Sequence, residues 1–561
     1  MKKIFTLSVL FLAGIAYPQL PALQWSKSFG SSVNDTGSSV AVGSDGAVYI
    51  TGFFSGTVDF DPGSEVYTMT SEGYANFFVQ KLSASGEFVW AKKIKNNSTA
   101  TFPSCGIDQN DNIYISGPFG ATVDFNPAEA INSLTSSGGD DSFILKLDSQ
   151  GNFVWVKNMT VSSDSSEWIV DIKVMPDGSS YSAGYYYGTV TTGTTELVSN
   201  GLYDAFVLKM DASGTISWIK GFGSPQGDAA FGIEADANGN VYATGIFSES
   251  MNFIMGSVIA TITSAGYNDM FIVKIDTAGN FVWAKGLGGT ADDRATSVAL
   301  DVSGNVYVAG NYKSDSITYG QGGDSATLVN SAGSDSDIFI AKIDSDGNYL
   351  WAKSIGADGY DSAESIAVDS FGKVYTTGSF SKTVDFDQSA ATANLTATGV
   401  LSQTFIYCLD TEGSFVFANQ MVGDSYNMGR SLIVDLAGAI YLSGTFRGTA
   451  NLNAGSGNAV TATSGGIDDY YISKFSNEVL GNPEVQNSGT FIVYPNPSDG
   501  HFILQGDAIA GAQITIYNQL GTVVRQYNVD DRSSEQHLSQ GVYFVEISAN
   551  GKREVKKLMI K

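Results

Sequence analysis

Between about residue 23 and residue 476, short runs alternate apolar or small residues with polar ones, as half-buried strands require. One stretch shows the unit. Ser365 to Asp369, Val374 to Phe380, Phe405 to Leu409 and Phe415 to Gln420 read as four successive strands. Asp-x-x-Gly turns separate strands one and two (Asp369/Gly372) and strands three and four (Asp410/Gly413). The Asp side chain caps such a turn, and the Gly takes the positive φ that closes it.

The pattern recurs. Tyr-x-x-Gly occurs seven times, from Tyr49/Gly52 to Tyr441/Gly444, at spacings of 61 to 68 residues. Trp-x-Lys runs from Trp25/Lys27 to Trp351/Lys353 and weakens to Phe417/Asn419 in the seventh copy. A Phe or Tyr stands three residues before a Lys in each repeat (Phe78/Lys81 to Tyr471/Lys474), except that Cys408 takes the Lys position in the sixth. Repeated four-stranded units predict an all-β fold, a seven-bladed β-propeller over residues 20–476. A β-helix needs a shorter repeat, and immunoglobulin-type domains need about 100 residues each. The strand Leu23 to Phe29 precedes any first strand, and the seventh repeat stops after its third strand near Ser476. The N-terminal strand is therefore expected to complete the seventh blade and remove two open sheet edges.

A residue present in every repeat is most simply a packing element. The Trp is expected to fill space between sheets, and the Lys to pair with a neighbouring Asp. Function is expected elsewhere. Strand direction puts the uniform one–two and three–four turns on one face, and the longer, varied two–three and four–one connections on the other. Variable loops on a rigid scaffold carry function. Phe102, Phe222, Tyr360 and Tyr426 on that face are candidate ligand contacts, each also readable as local packing.

Both histidines, His501 and His537, lie beyond the repeats, so the repeat array has no His base, triad or His metal site. Carboxylate-pair catalysis stays open, although no pair stands out and no catalytic residue is assigned. Asp344-Ser345-Asp346-Gly347-Asn348 resembles the start of a calcium loop but aligns with the ordinary hairpin turns. Val-Asp-Phe-Asp/Asn segments (Asp59/Asp61, Asp124/Asn126, Asp385/Asp387) shape a loop or weakly hold a cation, and the loop reading is favoured. No other cofactor is expected. The net charge of −27 lies mostly before residue 490 and disfavours nucleic acid as a partner.

Residues 1–19 read as a secretory signal: Lys2 and Lys3, then an apolar run from Ile4 to Ala13, then small residues. That run is too short to span a membrane. Cys105 and Cys408 fall on distant strands and are expected to stay unbridged and buried. Residues 477–489 read as a linker. After it comes a different pattern: Tyr494-Pro495-Asn496-Pro497, Ile514 to Asn518 with Gly521, Leu538 to Val545 with Gly541 and Tyr543, and a final segment with Lys557 and Lys561. Alone it reads as a small β-sandwich.

Residues 490–561 closely resemble the type A C-terminal sorting domain of the type IX secretion system. The resemblance implies an Ig-like domain, export across the outer membrane, contact with that machinery, and a passenger attached to the cell surface or released. The repeats resemble the SBBP β-propeller family, through Gly201, Asp204, Phe206 and Lys209 and through Asp276, Gly279, Asn280 and Trp283. That family implies a fold and no particular activity. The leading expectation is a monomeric, non-catalytic binding protein for an extracellular polysaccharide or protein. The alternatives are an extracellular carbohydrate-active enzyme and a scaffold module of a surface assembly.

Overall fold

The computed structural model describes residues 20–95, 103–126, 131–137, 139–161, 165–192, 195–320, 326–331, 335–398, 401–455 and 457–476, and then 492–494, 498, 501–505, 512–518, 523–529, 533–538, 541–549 and 552–560. The signal segment 1–19, the linker 477–489, Phe102, Pro495, Asn496, Pro497, Gly521 and Lys561 lie outside the described residues. The chain divides into two compact units at residues 478/479.

The first unit is an all-β, propeller-like array. Its described residues form seven four-stranded antiparallel sheets, each with its strands in chain order except the last. Sheets one to seven begin with Thr36–Val42, Ser104–Ile107, Ser166–Val174, Ala229–Ala235, Asp293–Leu300, Ser362–Val368 and Asn427–Val434. These first strands pack one on the next, and that of sheet seven returns to that of sheet one. Sheet seven supplies three strands of its own, ending in Asp469–Ser476. Ala22–Phe29, from the start of the chain, pairs antiparallel with that last strand. The first strand of sheet six starts three residues before its expected position, because a bulge between Ala363 and Ser365 interrupts the alternation.

Apolar clusters fill the space between neighbouring sheets, including one between sheets seven and one built on Phe29, Phe78, Tyr441 and Tyr470. The repeated residues form a clasp across most interfaces; between sheets six and seven Phe417 and Cys408 stand in their places. Trp218 donates its indole N–H to the Thr277 carbonyl in the hairpin turn of the next sheet (3.1 Å). At the following interface Trp283 (3.0 Å) and Lys274 (3.0 Å) both donate to the Ser345 carbonyl. The Lys does not in general pair with Asp, as expected from sequence. Its ammonium sits over the repeat Tyr ring, 4.7 to 5.2 Å from the centroid, in sheets one to five and seven. Among the described repeat lysines only Lys146 reaches an Asp, Asp108, at 3.2 Å. The turn Asp is taken instead by the repeat Tyr hydroxyl in several sheets: Tyr307 donates to Asp301 (3.0 Å), Tyr375 to Asp369 (3.1 Å) and Tyr441 to Asp435 (3.1 Å).

The hairpin turns follow the Asp-x-x-Gly chemistry. Asp276 accepts the N–H groups of Ala278 (2.9 Å) and Asn280 (2.8 Å), and Gly279 sits at φ +85°. Asp344 is engaged in the same way, its two oxygens taken by Asp346 and Asn348 of its own turn. The two–three connections differ from the irregular loops expected. Each carries a short two-stranded hairpin, such as Thr57–Asp59 with Thr68–Thr70. In the Val-Asp-Phe segments the Asp shapes the bend: Asp59 accepts from Asp61 and Tyr67, while Phe60 is buried beneath.

A second repeated device lies at the opposite edge of each interface. The residue opening the third strand and an acid at the start of the next sheet's first strand, within one residue of its first position, form a buried pair: Asp469/Asp35, Asp141/Glu167, Asp204/Asp228, Asp269/Asp293 and Asp337/Asp361. The backbone sets their register. The N–H of Asp35, Asp228, Asp293 and Asp361 donates to the carbonyl just before the partner acid, at 2.7 to 2.9 Å. Oδ1 of Asp141, Asp204, Asp269, Asp337 and Asp469 is buried without a hydrogen-bond partner. Between sheets six and seven the pair is Gln403/Asn427, and there Asn427 Nδ2 donates to Gln403 Oε1 (2.9 Å).

In the second unit, Ile492–Tyr494, His501–Gln505 and Ser533–His537 form one sheet. Val523–Asn528, Gln513–Asn518, Gly541–Ala549 and Lys552–Ile560 form the other. Phe502 and Leu504 of the first share a core with Ile514, Ile516, Val545 and Leu558 of the second. Cys105 and Cys408 are free and buried.

Candidate functional site

The face carrying the two–three and four–one connections is where the repeat loses its regularity. Two positions before the third-strand acid or amide, large apolar side chains stand exposed: Tyr74, Leu202, Tyr267, Leu401 and Ile467. Tyr267 is 74% exposed although nothing in the local packing requires a ring there.

The first strands bring a second group to the same edge. Trp168, the third residue of the first strand of sheet three, pairs with Tyr185 across the ladder, and their rings stack at 5.0 Å. Tyr203 continues the row, 5.4 Å from Tyr185. On the next two first strands, Phe231 carries the Arg294 guanidinium over its ring at 4.0 Å. Arg294 is exposed. Burial pushes the Tyr185 hydroxyl above its ordinary range; Tyr203 adds to that and Arg294 opposes it, so the aromatic row and the guanidinium share one field.

A third group lies at sheets six and seven. Tyr426 is half-buried with its hydroxyl on Met428 Sδ (2.7 Å). Burial raises its hydroxyl, with Arg430 opposing and Glu364 reinforcing the shift. Arg447 is committed to Asp468 through two bonds of 2.8 and 3.1 Å.

The sequence candidates are placed as follows. Tyr360 is 49% exposed on this face, next to the bridge between Ser336 and its own backbone. Tyr426 belongs to the third group. Phe222 is 4% exposed and packed among Phe253, Phe271 and Phe281, under the hairpin Ser250–Met255/Val258–Thr263, so its local-packing reading is the one its surroundings support. The structure joins none of these three into one cluster. Sequence reasoning missed Trp168, Arg294 and Arg430. A signal was present: Trp168 is the one Trp outside the Trp-x-Lys series, and Arg294, Arg430 and Arg447 are the three arginines of residues 20–476.

Elsewhere, a recess of about 470 Å³ lies at the rim between sheets four and five, lined by Thr261, Thr263, Lys285, Tyr319 and Tyr349. A similar one lies between sheets two and three, so rim recesses follow the repeat. No group of three or more metal-ligating side chains occurs among the described residues. In the second unit, Tyr543 is buried in the shared core, and Tyr494 and Lys557 lie on strands opposite Ile503 and Phe544. Gly541 opens the strand that contains Tyr543.

Residues 492–561 match the secretion system C-terminal sorting domain. An uncharacterized WD repeat-containing protein of Acanthamoeba polyphaga mimivirus is 23% identical over 380 residues, 56% of this chain and 27% of that protein. Regulatory protein FlaEY of Caulobacter vibrioides is 25% identical over 130 residues, 23% of this chain and 14% of that one. The chain thus spans about a quarter or less of the length of these relatives. Among solved structures, a fungal alcohol oxidase in complex with copper covers 97% of this chain and all of its own, with 11% identity and a TM-score of 0.41. Puromycin hydrolase covers 85% of this chain and 59% of its own, with 10% identity and a TM-score of 0.39. The sorting domain marks a protein exported through the type IX secretion system to the cell surface or the extracellular space. No helix among the described residues is long and apolar enough to cross a membrane.

Proposed function

We propose that this protein is a non-catalytic binding protein of the cell surface or extracellular space, recognising an extracellular polysaccharide or protein through the irregular face of the array. In this reading residues 1–19 are a signal peptide, 20–476 an SBBP-type seven-bladed propeller closed by its N-terminal strand, 477–489 a linker, and 490–561 an Ig-like sorting domain. The sheet count and the cyclic packing of first strands support the propeller. The two sheets with a common core support the Ig-like domain.

The observation that carries the functional reading is the contrast between the two faces. One repeats the same short turns and clasps. The other breaks the repeat with exposed Tyr74, Tyr267 and Tyr360, the Trp168–Tyr185–Tyr203 row and Arg294. Aromatic faces with a few placed polar groups are what ligand sites use for area and orientation. The test is a panel of soluble polysaccharides offered to the purified full chain, with binding and release of reducing ends read together. Binding without release supports the reading. Release of reducing ends replaces it with a glycosidase reading, and silence on both counts leaves a protein ligand as the target.

A further inference from the structure

The propeller-face reading leaves the ligand's chemistry open, and the charge pattern of the site narrows it. Resting on that reading, we propose that the site takes a carboxylate-bearing polysaccharide: Arg294 pairs with a uronate carboxylate while the outer faces of the Trp168–Tyr185–Tyr203 row contact neighbouring sugar rings.

Arg294 is an exposed cation of this face, as are Lys313 and Lys382, and it lies against an aromatic ring. The repeat lysines are spent on clasps at the other edge, as Lys274 and Lys342 show with their carbonyl bonds of 3.0 Å. Arg447 is held bidentately by Asp468. Arg294 makes no ion pair with a described residue; it is exposed and braced on the Phe231 ring at 4.0 Å. A guanidinium lying flat on an aromatic face keeps its planar fork free for bidentate carboxylate recognition, at little entropic cost.

The residue choice is not a requirement of the fold. The position held by Trp168 and Arg294 is Thr36, Ala229, Ser362 and Met428 in other sheets. Packing therefore tolerates small residues there, and a large aromatic on sheet three and a large cation on sheet five flank Phe231 of sheet four without a structural need. Trp168 and Tyr185 stack on each other at 5.0 Å and Tyr203 meets Tyr185 at 5.4 Å, so the row offers a ligand its outer faces and edges.

The surrounding charge separates anion classes. Asp140 faces Tyr185, and Asp292 and Asp293 precede Arg294. With a net charge of −27, a densely charged polyanion such as a nucleic acid or a highly sulfated chain is repelled. A polymer with one carboxylate per sugar ring presents a single anion to a single fork and an apolar ring face to the platform.

The decisive comparison uses the full chain with polygalacturonate and with its fully methyl-esterified form, and with alginate as a second uronate polymer. Affinity electrophoresis and calorimetry are run at low and at moderate salt. The expected result is binding of the acid polymers, at least tenfold weaker for the ester. Arg294→Gln should lose about tenfold or more toward the acid and little toward the ester. Arg294→Lys should recover part of it, and Trp168→Ala should weaken both. Arg525→Gln in the sorting domain serves as the unaffected control, and melting curves of each variant confirm folding. Equal binding of acid and ester, or an Arg294→Gln variant indistinguishable from the parent, overturns the acidic-ligand inference and leaves the polysaccharide reading standing. Failure of every one of these polymers to bind also overturns the acidic-ligand inference, and the wider polysaccharide panel then decides the propeller-face reading by itself.

Discussion

At the residue scale, the clasp explains why three residue types recur without forming a site. Each repeat Trp shields a turn glycine of the next sheet, and the geometry leaves no room for a side chain. At Gly279, φ is +85° and a Cβ would lie 3.1 Å from Trp218 Cδ2 and 2.9 Å from Lys220 Cε. Gly279→Ala therefore combines left-handed strain with a contact that displaces the Trp ring. A loss of about 1–3 kcal/mol is expected, read as a lower melting temperature. Trp218→Phe keeps most of the area and loses the indole N–H bond to Thr277, so a smaller loss of about 1 kcal/mol is expected from the same measurement. A Trp218→Phe variant less stable than Gly279→Ala would contradict the clasp as described. The sequence made the packing role of Trp legible, because a residue needed in every repeat cannot be specific to one ligand. It did not reveal the partner of Lys. An ammonium over a ring and against a carbonyl leaves no complementary charge in the sequence to notice, whereas an Asp partner would.

At the scale of the element, the buried acid pairs make stability depend on pH. Burial pushes the Asp204, Asp269 and Asp469 carboxyls up to about 6, with the partner acid of each pair adding to the shift. Asp141 is likewise raised to about 6 by burial, and Asp361 to about 7, with Asp337 and Asp335 reinforcing it. Two carboxylates in one buried seam are costly to ionise together without a counter-charge, so the pairs favour keeping a proton below about pH 6. The amide seam has the same logic built in covalently, since Asn427 supplies to Gln403 the hydrogen that a protonated acid would. An unfolded Asp releases its proton near pH 4. Between there and pH 6 to 7 the folded chain binds more protons, so stability falls as pH rises through that window and levels off above it. The slope is on the order of 1 kcal/mol per pH unit for each pair. Thermal melts from pH 4.5 to 8 check this. Asp204→Asn, which lets an amide donate to Asp228 as Asn427 does to Gln403, should raise the melting temperature at pH 8 and flatten its pH dependence. A melting temperature that climbs steadily from pH 4.5 to 7 would show that other carboxylates dominate. The pairs were hard to read from sequence because their members belong to different repeats, and Asp469 and Asp35 stand at opposite ends of the array.

At the scale of the whole array, the regular parts were legible and the exceptions were not. Period, turn chemistry and the displaced N-terminal strand follow from residues that repeat. Trp168 and Arg294 escaped because searching for a repeat discards what does not repeat, and because their adjacency depends on first strands of different sheets packing together. Phe222 is buried for a related reason: the two–three connection of sheet four folds into a hairpin that covers it, whereas the sequence shows only a longer, varied connection. The closing strand gives the sharpest consequence of the topology. Ala22–Phe29 pairs with Asp469–Ser476 over its whole length, Phe29 stacks on Tyr470 at 4.9 Å, and Trp25 donates to Ala84 of sheet one. Removing residues 20–29 exposes the edge of Asp469–Ser476 and strips one side of the cluster between sheets seven and one. The truncated chain should melt at least several degrees lower and self-associate through the open edge, as seen by light scattering. A synthetic peptide of residues 20–30 should restore both the melting temperature and the monomer, because edge pairing recovers the missing strand without a covalent link. A truncated chain that stays monomeric and melts with the parent would mean that the other six interfaces hold the array by themselves.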